Sequence, residues 1–136
     1  MLSIRRSVYD AIVDRAKEGA PEEVCGVLAG EHGDEESLAS ESHPIANVAD
    51  RPQSRYELDP EALLERIDLI ESRGLDVVGF YHTHPRGPPR PSAVDADRAT
   101  WTGYSYVICA VDGRPFVGSW RWRGERFEQE VVAIDG

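Results

Sequence analysis

His82 and His84 stand one residue apart at the end of the apolar run Leu75-Asp76-Val77-Val78-Gly79-Phe80, and Asp95 follows the second histidine by eleven positions. A strand sends alternate side chains to the same face, so a strand ending in His-Thr-His aims both imidazoles into one space and turns Thr83 away. The next segment, Pro85-Arg86-Gly87-Pro88-Pro89-Arg90-Pro91-Ser92, is stiff, turn-rich and long enough to bring a following helix back beside the strand. On such a helix Ser92 and Asp95, three apart, share a face. His82, His84 and Asp95 then supply the three protein ligands of a catalytic zinc site, whose fourth position is left to water. Zinc requires neutral imidazoles and an ionised carboxylate. Asp95, in the first turn of its helix, is favoured in the charged form by the helix dipole. Asp97 is the competing carboxylate, two residues on and expected to point to another side.

The rest of the chain supplies a scaffold for this strand. Val8, Ile12 and Ala16 form a helical stripe over Ser7–Glu18, closed by Gly19. Glu23–Gly30 and Ser37–Ile45 read as antiparallel strands around a turn of glycine and acids. Asp59 followed by Pro60 is an N-cap with proline at the first helical position, and Leu63, Leu64, Ile67 and Ile70 continue that helix to Gly74. A short helix opens at Ser92, where Ser-x-x-Asp approximates a capping box, and runs to about Trp101. Tyr104–Val111, Pro115–Arg121 and Arg126–Ile134 complete the strands, with turns at Asp112-Gly113 and Arg123-Gly124. Strands on both sides of two long helices and one short one predict an α/β sandwich with a mixed, curved sheet.

With 136 residues, the chain is expected to be one domain, residues 1–136. Met1-Leu2-Ser3-Ile4-Arg5-Arg6 leads into a charged amphipathic segment, so neither a secretory signal nor a membrane span is expected and the cytoplasm is the expected location. Cys25 and Cys109 lie in apolar runs and are expected to pack as small hydrophobes rather than to form a disulfide. A net charge of -10 argues against nucleic acid as a partner. One lysine, Lys17, stands against fourteen arginines. An acidic, lysine-poor surface fits a cytoplasm of very high salt, that of a halophile; a GC-rich genome gives the same bias.

His82-Thr83-His84-Pro85, then Pro91-Ser92 and Asp95, with the upstream Glu23-Val24-Cys25-Gly26-Val27-Leu28, resemble the JAMM (MPN-plus) metalloprotease family, and among its branches the archaeal desampylase-type members look most similar. The resemblance runs from about Ser7 to Val111. It implies a deaminase-like α/β/α fold, one zinc ion per chain, and hydrolysis near the C-terminus of ubiquitin-like proteins. It also implies that Glu23 is the base beside the zinc and that Ser92, besides capping its helix, stabilises the tetrahedral oxyanion. Glu22 is the rival base; on a strand the two acids would face opposite sides. His32 and His43 are expected at the surface, and Cys25, two residues from Glu23, near the site without acting as a nucleophile.

The irregular stretch Asn47–Tyr56, with Arg51, Pro52 and Arg55, occupies a place where members of the family often contact substrate, and Arg86 and Arg90 would add positive charge near the cleft. Expected partners are a ubiquitin-like or sulfur-carrier protein and its conjugates. A sulfur-carrier hydrolase that frees an amino acid such as cysteine from a carrier tail would use the same residues. A binding module with structural zinc would normally close the site with four protein ligands. A zinc nucleoside deaminase needs a Pro-Cys-x-x-Cys pair, which this chain lacks.

Overall fold

The structure, a computed structural model, describes residues 1–112 and 116–136. In chain order the elements are β1 (Leu2–Arg5), α1 (Arg6–Gly19), β2 (Cys25–Glu31), β3 (Ser37–Ile45), α2 (Pro60–Ser72), β4 (Asp76–His84), α3 (Ala93–Arg98), β5 (Ser105–Ala110), β6 (Phe116–Trp122), β7 (Phe127–Glu130) and β8 (Val132–Asp135). Among the described residues the strands form one eight-stranded sheet in the order β7-β6-β5-β4-β2-β3-β1-β8. It is mixed, with β4 antiparallel to β2 and parallel to β5.

Helices cover both faces. Against α1, whose Val8, Ile12, Val13 and Ala16 are buried, lie Leu2, Ile4, Leu28, Val78 and Tyr81. On the other face Ile70 of α2 packs with Val27, Ala29, Val77, Phe80 and Tyr106. This is the α/β/α sandwich. A register shift between β2 and β4 inserts an extra residue at Val78, since Leu28 pairs with Gly79 but Ala29 with Val77. A bulge of this kind switches which face later residues occupy. Val77 and Phe80 therefore share the α2 face although they are three apart, and His82 and His84 follow Phe80 onto it. Gly79 is a place of close backbone approach: a Cβ there would collide with the Ser105 carbonyl of β5.

Several boundaries differ from the expected ones. β1 was not anticipated, because Leu2 and Ile4 alternate over too short a run, yet both are fully buried between β3 and β8. β2 starts at Cys25, leaving Glu23 in the connection before it. The helix expected from Ser92 to Trp101 stops at Arg98. The expected strand Arg126–Ile134 is two strands, β7 and β8, which lie at opposite edges of the sheet with only Val131 between them. The sheet must curl until its edges nearly meet, and Leu2 N–H donates to Val131 O across the junction, 2.9 Å. Of the expected turn Asp112-Gly113 and strand Pro115–Arg121, Gly113 and Pro115 lie outside the described residues.

A buried ion pair fastens this junction. Arg121 and Glu130, with side chains 2% and 6% exposed, approach to 2.9 Å. The Glu130 carboxylate also accepts from Ser105 and Ser119, while Arg121 donates to Gly33 O, Gly103 O and Ser37 Oγ. Burial pushes the Glu130 pKa up, but these donors win and hold it below the ordinary glutamate value. A carboxyl depressed in the folded state adds stability above its unfolded pKa, roughly 4, and that contribution is lost as pH falls through the folded value. Arg121→Met is expected to cost about 3–5 kcal/mol in urea unfolding, because it strands a buried charge. A variant as stable as the wild type would show that the pair does not hold the junction.

Candidate metal centre

β4 delivers His82 and His84 to one space, as alternation requires, and α3 supplies the acid. His82 Nε2 and His84 Nε2 lie 3.1 Å apart, and Asp95 Oδ2 lies 3.2 Å from the first and 3.3 Å from the second. All three side chains are buried. Donors about 2.0–2.1 Å from a tetrahedral zinc stand roughly 3.3 Å from one another, so this triangle has the dimensions of one face of such a site. Glu23 brings a second carboxylate: one of its oxygens and the two imidazole donors all lie within 4.8 Å of one another.

The surrounding bonds fix these groups. Ser92 Oγ accepts from Asp95 N–H at 3.1 Å and Asp95 Oδ2 accepts from Ser92 N–H at 2.8 Å, the reciprocal capping box that starts α3. His84 Nδ1 lies 3.0 Å from Pro88 O. A proton on Nδ1 donated to that carbonyl leaves the Nε2 lone pair for a metal. Tyr56 stacks on the His82 ring, centroids 4.1 Å apart and planes inclined by 17°. Thr83, on the opposite face, accepts from Val24 N–H through Oγ1 at 2.9 Å and donates its own N–H to Val24 O at 3.0 Å. That clasp brings the residue before Val24, Glu23, beside the histidines.

The electrostatics separate the two carboxylates. Burial raises the Glu23 pKa to about 7, partly offset by His84 and reinforced by the Asp95 charge. Burial also acts on Asp95, but hydrogen bonds from His82 and His84 outweigh it and hold Asp95 well below the usual carboxylate range. Burial disfavours the imidazolium form of His82 and lowers its pKa; for His84 the contacts with Asp95 outweigh burial and raise it.

Both rival acids are set apart by exposure: Glu22 and Asp97 lie at the surface, while Glu23 and Asp95 are buried. Cys25 is buried with its thiol 3.5 Å from Ile45 O, and burial pushes its pKa up to about 12, which keeps it protonated at neutral pH. Cys25 and Cys109 are both free. His43 corrects the expectation of a surface residue. It is buried, 2.9 Å from Glu41 and 3.4 Å from Arg66, because β3 turns it inward under α2. His32 is half-buried and stacks on Tyr104.

Two hollows flank the centre. One, about 320 Å³, is lined by Tyr56, Leu58, Leu63, Phe80, Trp101 and Tyr106 among others. The other, about 520 Å³, is lined by Pro21, Asp50, Arg51, Pro52, Gln53, Ser54 and Arg86. Pro52 O accepts from Glu23 N–H, at 2.6 Å, which places the second hollow on the Glu23 side. The contributions of Tyr56 and Pro88 were not legible in the sequence; an aromatic and a carbonyl in irregular segments carry no spacing signal.

Known proteins resemble this chain over most of its length. A desampylase of Haloferax volcanii is 45% identical over 138 residues, spanning 98% of this chain and 96% of that protein. The CysO-cysteine peptidase of Mycobacterium tuberculosis is 34% identical over 79% of this chain and 72% of its own length. The crystal structure of a JAB1/MPN domain protein from Archaeoglobus fulgidus superposes with a TM-score of 0.66 over 98% of this chain and 97% of that one, at 19% identity, a likeness of fold. The family described as prokaryotic homologs of the JAB domain matches residues 5–123, so with its sandwich fold and its paired histidines the chain belongs to that family.

Proposed function

We propose that residues 1–136 act as one zinc-dependent isopeptidase domain that hydrolyses the bond following the C-terminal Gly-Gly of a small ubiquitin-like modifier. The observation that carries this reading is the placing of two buried carboxylates with opposite character against one pair of imidazoles. Asp95, held ionised, is suited to ligate one zinc with His82 and His84. Glu23, held near neutrality, is suited to exchange a proton. The near full-length identity to a protein named desampylase supports the substrate class. The free buried cysteines suit a reducing cytoplasm, and no helix among the described residues is long and apolar enough to cross a membrane.

Bound zinc supplies a Lewis acid toward the scissile carbonyl and lowers the pKa of water toward neutrality. Glu23 takes the proton from the attacking water and passes it to the departing lysine amine. In its cap bond the Ser92 hydroxyl acts as acceptor, which leaves its own proton free for the developing oxyanion. His84, held by Pro88 O, and His82, held under Tyr56, keep their orientation throughout.

The direct test is incubation of the zinc-loaded protein with an isopeptide-linked conjugate of a ubiquitin-like protein ending in Gly-Gly, with and without chelator. Cleavage abolished by chelator and restored by zinc is expected; an intact conjugate would refute the reading. A second reading, release of an amino acid from a sulfur-carrier tail, is supported by the likeness to the CysO-cysteine peptidase. It predicts cleavage of a linear carrier-amino acid bond in preference to the isopeptide.

Arg51 and Arg86 give the Glu23-side hollow a positive rim in a chain of net charge -10. Among the described residues the arginines paired with carboxylates are Arg73, Arg98, Arg121 and Arg123. If Arg51 and Arg86 draw in acidic substrate segments, Arg51→Glu/Arg86→Glu should raise KM several-fold at about 0.01 M salt and much less at 1 M, where the screening length falls from about 30 Å to 3 Å. Equal KM values for variant and wild type at low salt would remove the two arginines from substrate capture.

A further inference from the structure

One side chain outside the metal triangle is bonded to both of the loops that frame it. Asn47, half-buried just after β3, uses every polar position of its amide. Nδ2 donates to Glu23 O at 2.8 Å and to Arg55 O at 3.1 Å. Oδ1 accepts from Ala49 N–H at 3.0 Å and Glu57 N–H at 2.9 Å. A primary amide offers two donors and two acceptor lone pairs, so nothing is left over. Three of its four partners, all but the neighbouring Ala49, come from two places that matter to the centre. Glu23 is the residue whose carboxylate stands among the imidazoles, and Arg55 and Glu57 are the two neighbours of Tyr56, the ring stacked on His82.

We infer that Asn47 is a positioning residue that locks the Glu23 segment and the Tyr56 loop into one unit against the metal centre. This rests on the hydrolase reading above and adds to it the element that sets the distance between Glu23 and the histidines. The loop it gathers has further bonds of its own: Asp59 N–H to Ala46 O at 3.0 Å, a turn in which Arg51 O accepts from Ser54 and Arg55 N–H, and the Arg98–Glu57 ion pair. Val48 N–H bonds Glu57 O at 2.9 Å, and Asn47 and Leu58 form a lone bridge. On the other flank Glu23 N–H is tied to Pro52 O of the same loop. Release of Asn47 therefore loosens the base and the ring over His82 together, with Pro52 O as the remaining tie on Glu23. It leaves Thr83, which clasps Val24 from β4, the Ser92–Asp95 cap and the His84–Pro88 contact in place, so Asp95 and His84 keep their supports and His82 keeps its place on β4.

The chemistry of the amide suggests two variants. Asn47→Ala removes all four bonds. Asn47→Asp keeps an acceptor for Ala49 and Glu57 but has no proton for Glu23 O or Arg55 O. The expected result is one zinc equivalent bound by both variants and a kcat, read well below each melting temperature on the isopeptide conjugate, lowered roughly 10- to 100-fold as misplacement of a reacting group entails, with KM little changed. Amide hydrogen exchange separates the halves: Ala49 and Glu57 should exchange faster than wild type in Asn47→Ala and stay protected in Asn47→Asp. Wild-type kcat in either variant overturns the inference, as does Ala49 and Glu57 exchange in Asn47→Ala equal to wild type. A wild-type protein that leaves the conjugate intact refutes the hydrolase reading instead, and the exchange measurement still decides whether the clamp exists.

Discussion

Glu23→Gln is expected to bind a full equivalent of zinc and to lose turnover by about 100-fold or more, the usual worth of a general acid–base group. Glutamine keeps the size of the side chain and its hydrogen-bonding oxygen but cannot accept the water proton. Glu22→Gln, at an exposed position, should be mild; the reverse order of effects would make Glu22 the base. The same assignment sets a pH dependence. Burial holds the Glu23 carboxyl up to about 7, and a base works only when unprotonated, so activity should fall on the acid side as Glu23 takes up its proton. A cation bound beside it favours the carboxylate, which moves the acid limb of the zinc enzyme below pH 7. An acid limb unchanged in the slow residual activity of Glu23→Gln would assign that limb to another group.

The second large effect concerns metal content. His82→Ala/His84→Ala should fall from about one zinc per chain to almost none, as measured by atomic absorption after dialysis, because the Asp95 and Glu23 carboxylates without the two imidazoles cannot hold the ion. Zinc at a thousandfold excess over its dissociation constant stabilises a folded protein by about 4 kcal/mol, so the wild type should melt higher with zinc present and the double variant should not respond. Asp95→Asn should lose zinc as well and, in addition, weaken the start of α3, since the same oxygen accepts from Ser92 N–H. Full zinc occupancy in the double histidine variant would refute the ligand assignment.

The parts of the centre that could be read in the sequence are those that depend on local geometry. The shared face of His82 and His84 follows from strand alternation, and the Ser92–Asp95 cap from the reach of one helical turn. Glu23 became legible only through family likeness, because the Thr83 clasp that positions it, made to the next residue Val24, is distant in sequence and the strand begins two residues later than expected. Asn47 and Tyr56 lie in an irregular stretch whose meaning comes from what the fold brings to it. The bulge at Val78 breaks the alternation that would otherwise have assigned faces along β4. His43 was misleading because a polar residue in an alternating strand reads as solvent-facing, and only Arg66 of α2, brought over it by the fold, reveals that it is paired inside.

The junction at Val131 also bears on how the chain is assembled. β8 is the outer partner of β1, with Leu2 opposite Val132 and Arg5 opposite Asp135, so the outer flank of β1 stays bare until β8 arrives. During synthesis on a ribosome, which adds residues at roughly 5–20 per second, Leu2 and Ile4 therefore wait several seconds with that hydrogen-bonding flank unprotected. Such a long-range parallel pairing is intrinsically slow to form. A nascent chain lacking β8 presents an open strand edge to its neighbours, which makes the newest product of translation the form most exposed to edge-to-edge pairing.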